Sequence, residues 1–189
     1  MNEDEILILQ RKPVWTLSLF LAAFLIAPVR LPAQSAVGAP GCGPDNEHFD
    51  VKTKKTERPE IKIDPAKALV YFLQDDREFE SIPRPVVRMG IDGKWVGATH
   101  GNSYFFTTVD PGEHHLCASW QTNVTIGEPK QGGALHFTAE AGQIYVFSVR
   151  DRWFREHGSK PLIFEPIDSD QGKLLMNQFA LATSKPRKN

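Results

Sequence analysis

The sequence has almost no net charge, only two cysteines and no motif of a known catalytic or nucleotide-binding site. Its 22 basic and 23 acidic residues give a net charge of −1. Binding nucleic acid through charge alone requires a basic excess, so nucleic acid is not predicted as a partner. The sequence contains no G-x-S-x-G, no Gly-rich phosphate loop and no H-E-x-x-H. We therefore predict no catalytic residues and no cofactor.

The first 35 residues are typical of an export signal. The uncharged run 14–29 would form a helix about 24 Å long, which is short for a bilayer core of about 30 Å. Ala33 and Ser35 are small residues at the −3 and −1 positions of a signal peptidase site that cuts before Ala36. We therefore predict a signal peptide over residues 1–35 and an exported chain, periplasmic or extracellular. Retention of this segment as a membrane anchor is the alternative.

The next segment, residues 36–65, is predicted to be a flexible tether. It contains seven glycines and prolines and a charged stretch, and it shows no apolar period. It also carries Cys42, one of the two cysteines. In an oxidising compartment Cys42 and Cys117 would form a disulfide that fixes the tether to the strand containing Cys117. Two separate thiols, or a lipid attached to Cys42 as a membrane anchor, are the alternatives.

Residues 66–184 are predicted to form an all-β domain. Short runs rich in β-branched and aromatic residues alternate with Gly, Pro and Asp turns. The predicted strands are 68–74, 86–92, 94–100, 103–109, 113–120, 135–140, 143–150 and 161–167. Turns at Asp92-Gly93, Asp110-Pro111-Gly112 and Ala141-Gly142 each predict a β-hairpin. The pattern predicts an antiparallel β-sandwich or partly open barrel of about seven strands.

The end of the chain has a helical period instead. Asp168 or Ser169 is a suitable N-cap, and apolar residues from Leu174 to Ala182 fall close to one helical stripe. We predict one C-terminal helix over residues 169–182, covering an edge or a face of a sheet.

The order of these turns resembles a known family. The matching features are an ALVYF strand, a D-G-K-x-V-G hairpin from Asp92, a D-P-G-E-H turn from Asp110 and an A-G-x-I-Y return from Ala141. Over residues 66–175 the chain resembles bacterial domain-of-unknown-function family 2846 and the PEGA class of surface domains. The resemblance implies an exported, envelope-associated β domain. It carries over no catalytic residues.

Aromatic side chains near loops are the candidate ligand contacts. Trp95, Tyr104, Trp120 and Trp153 lie near hairpin ends, where such rings stack on sugars or peptides; core packing is the alternative for each. The six histidines show no spacing typical of a metal site, and adjacent His114 and His115 point to opposite faces of a strand.

Three functions remain open from the sequence. The first is a non-enzymatic module that binds an envelope protein or a surface polymer. The second is a structural accessory domain of the envelope, and the third is a hydrolase with an unrecognised site. Contact with a membrane is predicted only if the N-terminal segment is retained or Cys42 is lipidated.

Overall fold

The computed structural model describes residues 41–80, 83–122, 130–154, 158–159 and 161–188. The chain divides into a unit of residues 1–35 and a unit of residues 36–189, and all described residues belong to the second unit. The predicted signal peptide and its cleavage site therefore lie outside the described residues. Among the described residues, no helix has the length and apolar character needed to cross a bilayer.

The described chain contains eleven strands and one helix. In chain order they are β1 Phe49–Lys54, β2 Ala68–Phe79, β3 Val86–Ile91, β4 Lys94–His100, β5 Ser103–Val109, β6 Gly112–Trp120, β7 Gly132–Ala139, β8 Ile144–Phe154, β9 Gly158–Ser159, β10 Ile163–Pro166, α1 Ser169–Gln178 and β11 Ala180–Pro186. The predicted all-β class with one helix is confirmed, with more strands than the predicted seven.

The strands form two separate sheets, so the fold is a β-sandwich. The larger sheet has the order β1-β11-β5-β2-β8-β10, with β9 paired to β8, and the smaller sheet has the order β4-β3-β6-β7. Most pairs are antiparallel, but β2 runs parallel to β8 and β11 parallel to β5. The main core lies between the sheets, where Phe72, Phe147 and Trp120 are almost fully buried.

The first predicted hairpin is confirmed. Strands β3 and β4 pair antiparallel around Asp92-Gly93. Asp92 has φ 49° and Gly93 has φ 80°. Two successive positive φ angles are those of the type I′ turn that matches the twist of paired strands.

The other two predicted hairpins are wrong. Strands β5 and β8 belong to the larger sheet, whereas their chain neighbours β6 and β7 belong to the smaller one. The turns at residues 110–112 and 140–143 therefore carry the chain from one sheet to the other. The strands they join pack face to face, with the Phe137 and Phe147 ring centroids 5.0 Å apart. A turn motif specifies reversal of the chain but does not specify which sheet the next strand joins.

The prediction of a tether is wrong for residues 49–54, which form β1. This strand pairs along its whole length with β11 at the other end of the chain. Phe49 is buried in β1 while most other positions are exposed, as is typical of a strand at the edge of a sheet. Residues 49–54 contain few apolar residues because most of them are exposed at the edge of the sheet. Their pairing partner, β11, is distant in the sequence, so the local pattern does not indicate a strand.

The C-terminal helix is shorter than predicted. It begins as expected, since the Asp168 carboxylate accepts a hydrogen bond from Asp170 N at 2.8 Å. It ends at Gln178, and the predicted helical residues 180–182 belong to β11 instead. Residues Ala180, Leu181 and Ala182 are buried between β1 and β5. Burial and sheet pairing there outweigh helix propensity, which is only a weak preference.

Candidate functional site

The outer face of the larger sheet, which points away from the smaller sheet, carries a second apolar cluster. Its buried members come from strands β2, β5, β8 and β11 and from the helix: Leu73, Tyr104, Val146, Leu175, Phe179 and Leu181. Helix α1 reaches this face through Leu175. Gly172 makes the close approach possible, because a Cβ at this position would lie 2.9 Å from Val146 Cγ1. The helix covers the sheet only in part.

A groove remains beside the helix on this face. Its volume is about 420 Å³, and it lies between α1, the turn at residues 140–143 and the outer face of β2 and β8. We call it the α1 groove. Its walls are formed by Tyr71, Ile144, Val146, Ser169, Lys173 and Met176, together with Gly142 and Gln143. Ser169, Lys173 and Met176 are spaced by four and three residues, so they lie along one face of the helix.

Apolar and polar residues share the lining of the groove. Ile144 is 47% exposed, and Tyr71 and Met176 are half-buried. The Tyr71 ring lies 5.7 Å from the Phe106 ring and 6.4 Å from the Tyr104 ring, so neighbouring aromatic side chains hold it in place. Burial raises the pKa of the Tyr71 phenol, which therefore stays neutral and keeps its hydrogen-bond donor.

The aromatic residues predicted to contact a ligand are mostly inside the protein. Tyr104 and Trp120 are buried at 4% and 0% exposure, and Trp95 is also buried. Trp153 is half-buried and packs on Phe79, with ring centroids 6.3 Å apart. The expectation of exposed rings is therefore wrong for the first three. Strand alternation identified which residues share a face. Which faces are covered is decided by helix α1 on the larger sheet and by residues 41–48 on the smaller sheet.

Sequence reasoning missed the residues that do form the groove. Tyr71 and Ile144 lie in the predicted strands 68–74 and 143–150, and the sequence pattern predicts no ligand contact for either. A usable signal was present, since Tyr71 alternates with Val70 and Phe72 and so points away from their core. The position of the helix over this face was the missing information.

A β-bulge places two carboxyl groups in the core between the sheets. The register of β2 against β8 shifts between Asp75 and Glu78, so that Asp76 and Arg77 face the single residue Asp151. Asp76 and Asp151 both have 0% exposure. The bulge therefore directs Asp76 inward, next to Asp151.

The two carboxyls are joined to each other and to a buried polar network. Gln74 Nε2 donates to Asp76 Oδ1 at 2.9 Å and lies 3.3 Å from Asp151 Oδ2, and Trp120 Nε1 donates to Asp151 Oδ1 at 2.6 Å. Burial and the Asp76 charge raise the pKa of Asp151 to about 8, and burial raises the pKa of Asp76 to about 6. Both shifts favour the protonated forms, and a proton on one carboxyl lets it donate a hydrogen bond to the other.

The predicted disulfide is present between Cys42 and Cys117, with Cα atoms 5.0 Å apart. It fixes residues 41–48, here called the strap, across the outer face of the smaller sheet. A Cβ at Gly41 would lie 2.5 Å from the Leu116 carbonyl carbon, and a Cβ at Gly90 would overlap Gly41 O. The strap thus fits the sheet only where glycine leaves room. The Cys42 sulfur is bonded to Cys117 and cannot carry a lipid at the same time. The alternative of a lipid at Cys42 is therefore not compatible with this structure.

The strap covers a buried cation. Arg88 has 0% side-chain exposure and lies over the Trp95 ring, with its guanidinium carbon 4.3 Å from the ring centroid. It donates to the strap carbonyls of Asp45 at 3.0 Å and Glu47 at 2.7 Å. Burial lowers the pKa of Arg88. The strap therefore supplies both acceptors of the Arg88 Nη1 group, whereas Nε and Nη2 are buried without a hydrogen-bond partner among the described residues.

A second concavity of about 310 Å³ lies beside the bulge and is lined by charged residues, among them three arginines, Arg77, Arg150 and Arg152. Each guanidinium faces a carboxylate: Asp75 for Arg77, Glu165 for Arg150 and, at 4.0 Å, Glu78 for Arg152. Because the charges are paired within the protein, this concavity offers little free positive charge to a ligand.

Comparison of the chain with known protein families, with curated proteins and with solved structures gives no match. The function is therefore argued from the geometry of the α1 groove.

Proposed function

We propose that the domain is a non-enzymatic binding module of the bacterial cell envelope and that it binds a partner protein at the α1 groove. The observation that carries this proposal is a groove left open next to a helix, with a half-exposed tyrosine in its wall and an isoleucine that is 47% exposed at its edge. Exposed apolar surface with a polar rim is typical of protein-binding sites.

The composition of the groove favours a protein segment as the ligand. Ile144, Val146 and Met176 contribute the aliphatic part of the groove wall. Lys173 at the rim is exposed, and its nearest carboxylate is Asp170 of the same helix at 3.2 Å. An exposed pair of this kind contributes little energy, so an acidic group of the ligand can replace Asp170. The preferred ligand is therefore an apolar side chain followed or preceded by an acidic residue.

The alternative roles are less well supported by these contacts. A hydrolase would need catalytic groups that a substrate can reach. Asp76 and Asp151 both have 0% exposure and their oxygens accept hydrogen bonds within the core, although Asp151 also belongs to the lining of the charged concavity beside the bulge. A surface polymer as the ligand remains an outcome of the binding experiment.

Ile144→Asp is expected to abolish capture of the partner by the groove. A carboxylate beside Met176, Val146 and Tyr71 would have to lose its hydration when the partner covers it. The measurement is photo-crosslinking in the native cells, with a photoreactive side chain at position 143 in the wall of the groove and the products identified by mass spectrometry. A protein adduct that disappears with Ile144→Asp supports the proposal.

Val96→Asp is the matched control for this experiment. Val96 is an apolar strand residue of comparable exposure, 38%, and it lies on the smaller sheet, away from the α1 groove. The control is expected to keep the adduct. Equal yields from both variants, no adduct at all, or a polymer adduct in place of a protein would each contradict binding of a protein at the groove.

The proposal includes export of the protein, directed by a signal peptide over residues 1–35 that is cleaved. The disulfide supports it, since such bonds persist in oxidising compartments. We expect the protein isolated from its native cells to begin at Ala36 and to lack two hydrogens relative to its reduced form. Intact-mass measurement before and after reduction tests both expectations. A mass that includes residues 1–35, or one that reduction leaves unchanged, would contradict them.

A further inference from the structure

Two histidines on the smaller sheet face each other across neighbouring strands. His115 on β6 is the direct partner of His136 on β7 in the antiparallel register. Their ring centroids lie 6.4 Å apart, and both residues are exposed. Neither imidazole has a hydrogen-bond partner among the described residues.

We propose that His115 and His136 form a binding site for a divalent transition metal ion such as Zn²⁺, with water completing the coordination. Imidazole nitrogen is a preferred ligand for zinc, copper and nickel ions. With Zn–N bonds of about 2.0–2.1 Å, a tetrahedral ion needs the two nitrogens about 3.3 Å apart. The ring centroids are 6.4 Å apart, so the two exposed side chains must rotate toward each other to reach this spacing.

The surroundings of the pair favour a cation. The Asp92 carboxylate accepts a hydrogen bond from His115 N at 2.9 Å and also contacts His114 Nδ1 at 2.7 Å, so a carboxylate shared with His114 lies beside the first histidine. Glu113 precedes His115 by two residues, on the same face of β6, and is exposed. The paired strands hold the two histidines opposite each other in the absence of metal, which lowers the entropic cost of binding.

The site is a two-ligand site. Among the described residues, no group of three or more His, Cys, Asp and Glu side chains is arranged to hold a metal ion. Structural zinc sites use four protein ligands and catalytic ones usually three. A pair with open positions therefore points to reversible binding, or to a metal shared with a partner, and not to an ion required for folding. The proposal is independent of the α1 groove and of the proposed function.

The test is calorimetric titration of Zn²⁺ into the purified protein without a polyhistidine tag. We expect one saturable equivalent, accompanied by shifts of the His115 and His136 imidazole resonances in NMR spectra. His136→Gln is expected to weaken binding by about tenfold or more, since loss of even an outer-shell partner of a metal ligand costs about 10–100-fold. Because His136 is exposed, the metal-free variant should unfold at the same temperature as the original protein.

His100→Gln is the matched control. His100 is also an exposed strand histidine, but its Nε2 contacts Arg84 O at 3.1 Å and it lies on β4. This variant is expected to bind Zn²⁺ as the original protein does. The proposal would be overturned by absence of saturable binding, by an equal loss of affinity in both variants, or by resonance shifts confined to other histidines.

Discussion

Reduction of the Cys42–Cys117 disulfide is expected to lower the free energy of unfolding by about 4 kcal/mol. The bond closes a loop of 75 sequence positions. In the chain-entropy treatment a loop of this length restricts the unfolded chain by about 4 kcal/mol. Reduction also frees the strap, so the buried Arg88 loses the fixed position of its two carbonyl acceptors. Both effects act in the same direction.

Urea unfolding at 25 °C, with and without a thiol reductant, measures this effect. The double variant Cys42→Ala and Cys117→Ala is the control, since reductant has no bond to break in it and should leave its unfolding curve unchanged. Alanine is preferred to serine because Cys117 is buried at 2% exposure and a hydroxyl there would lack partners. An unfolding curve of the original protein that reductant does not move would contradict the expected contribution of the disulfide to stability.

The second large effect concerns pH. The stability of the domain is expected to fall by several kcal/mol between pH 5 and pH 9. Burial raises the pKa of Asp76 to about 6 and, together with the Asp76 charge, that of Asp151 to about 8. An unfolded aspartate has a pKa of about 3.9, so across this range the folded protein binds more protons than the unfolded chain. Stability then decreases as pH rises, and the loss is complete once both carboxyls are ionised above about pH 8.

Asp151→Asn is expected to remove most of this dependence. An asparagine oxygen can still accept from Trp120 Nε1, and its amide can donate to Asp76 as the protonated carboxyl does. The variant therefore imitates the protonated pair at every pH. The measurement is the thermal midpoint at pH 5, 7 and 9. A decrease of about 10 °C is expected for the original protein, given about 2–4 °C per kcal/mol for a chain of this size.

Asp50→Asn is the control for the pH series. Asp50 is an exposed carboxylate that pairs with Arg187 at 2.8 Å, so its removal should shift the whole curve slightly without changing its slope. If the original protein were equally stable at pH 5 and pH 9, or if Asp151→Asn kept the original slope, the pair would not share a proton in the folded state. The other charged groups that act on Asp76 of the buried pair are Arg84 and Asp75.

The α1 groove and the histidine pair lie on different sheets and use different chemistry. The groove depends on the helix over the larger sheet, whereas the pair depends only on the register of β6 against β7. Ile144→Asp is therefore expected to leave Zn²⁺ titration unchanged, and His136→Gln is expected to leave crosslinking at the groove unchanged. This separation allows each proposal to fail without the other.

Local features of the chain were readable without the structure. Asp92-Gly93 specified a type I′ turn because both residues tolerate positive φ, and Asp168 specified the start of α1 because its carboxylate accepts from free backbone N–H groups. The pairing of Cys42 with Cys117 was predicted because only two cysteines are present. Each of these depends on a few neighbouring residues or on a simple count.

The tertiary structure decided everything that depends on distant segments. Only the pairing of β1 with β11 shows that residues 49–54 belong to the sandwich and that residues 180–186 form a strand. After β5 and after β7 the chain crosses to the opposite sheet. Burial of the two inner faces determines this crossing, and no local motif encodes it. The same reason applies to the candidate sites: the α1 groove and the His115–His136 pair arise where separate segments meet, and the energies that bring them together come from surface buried between those segments.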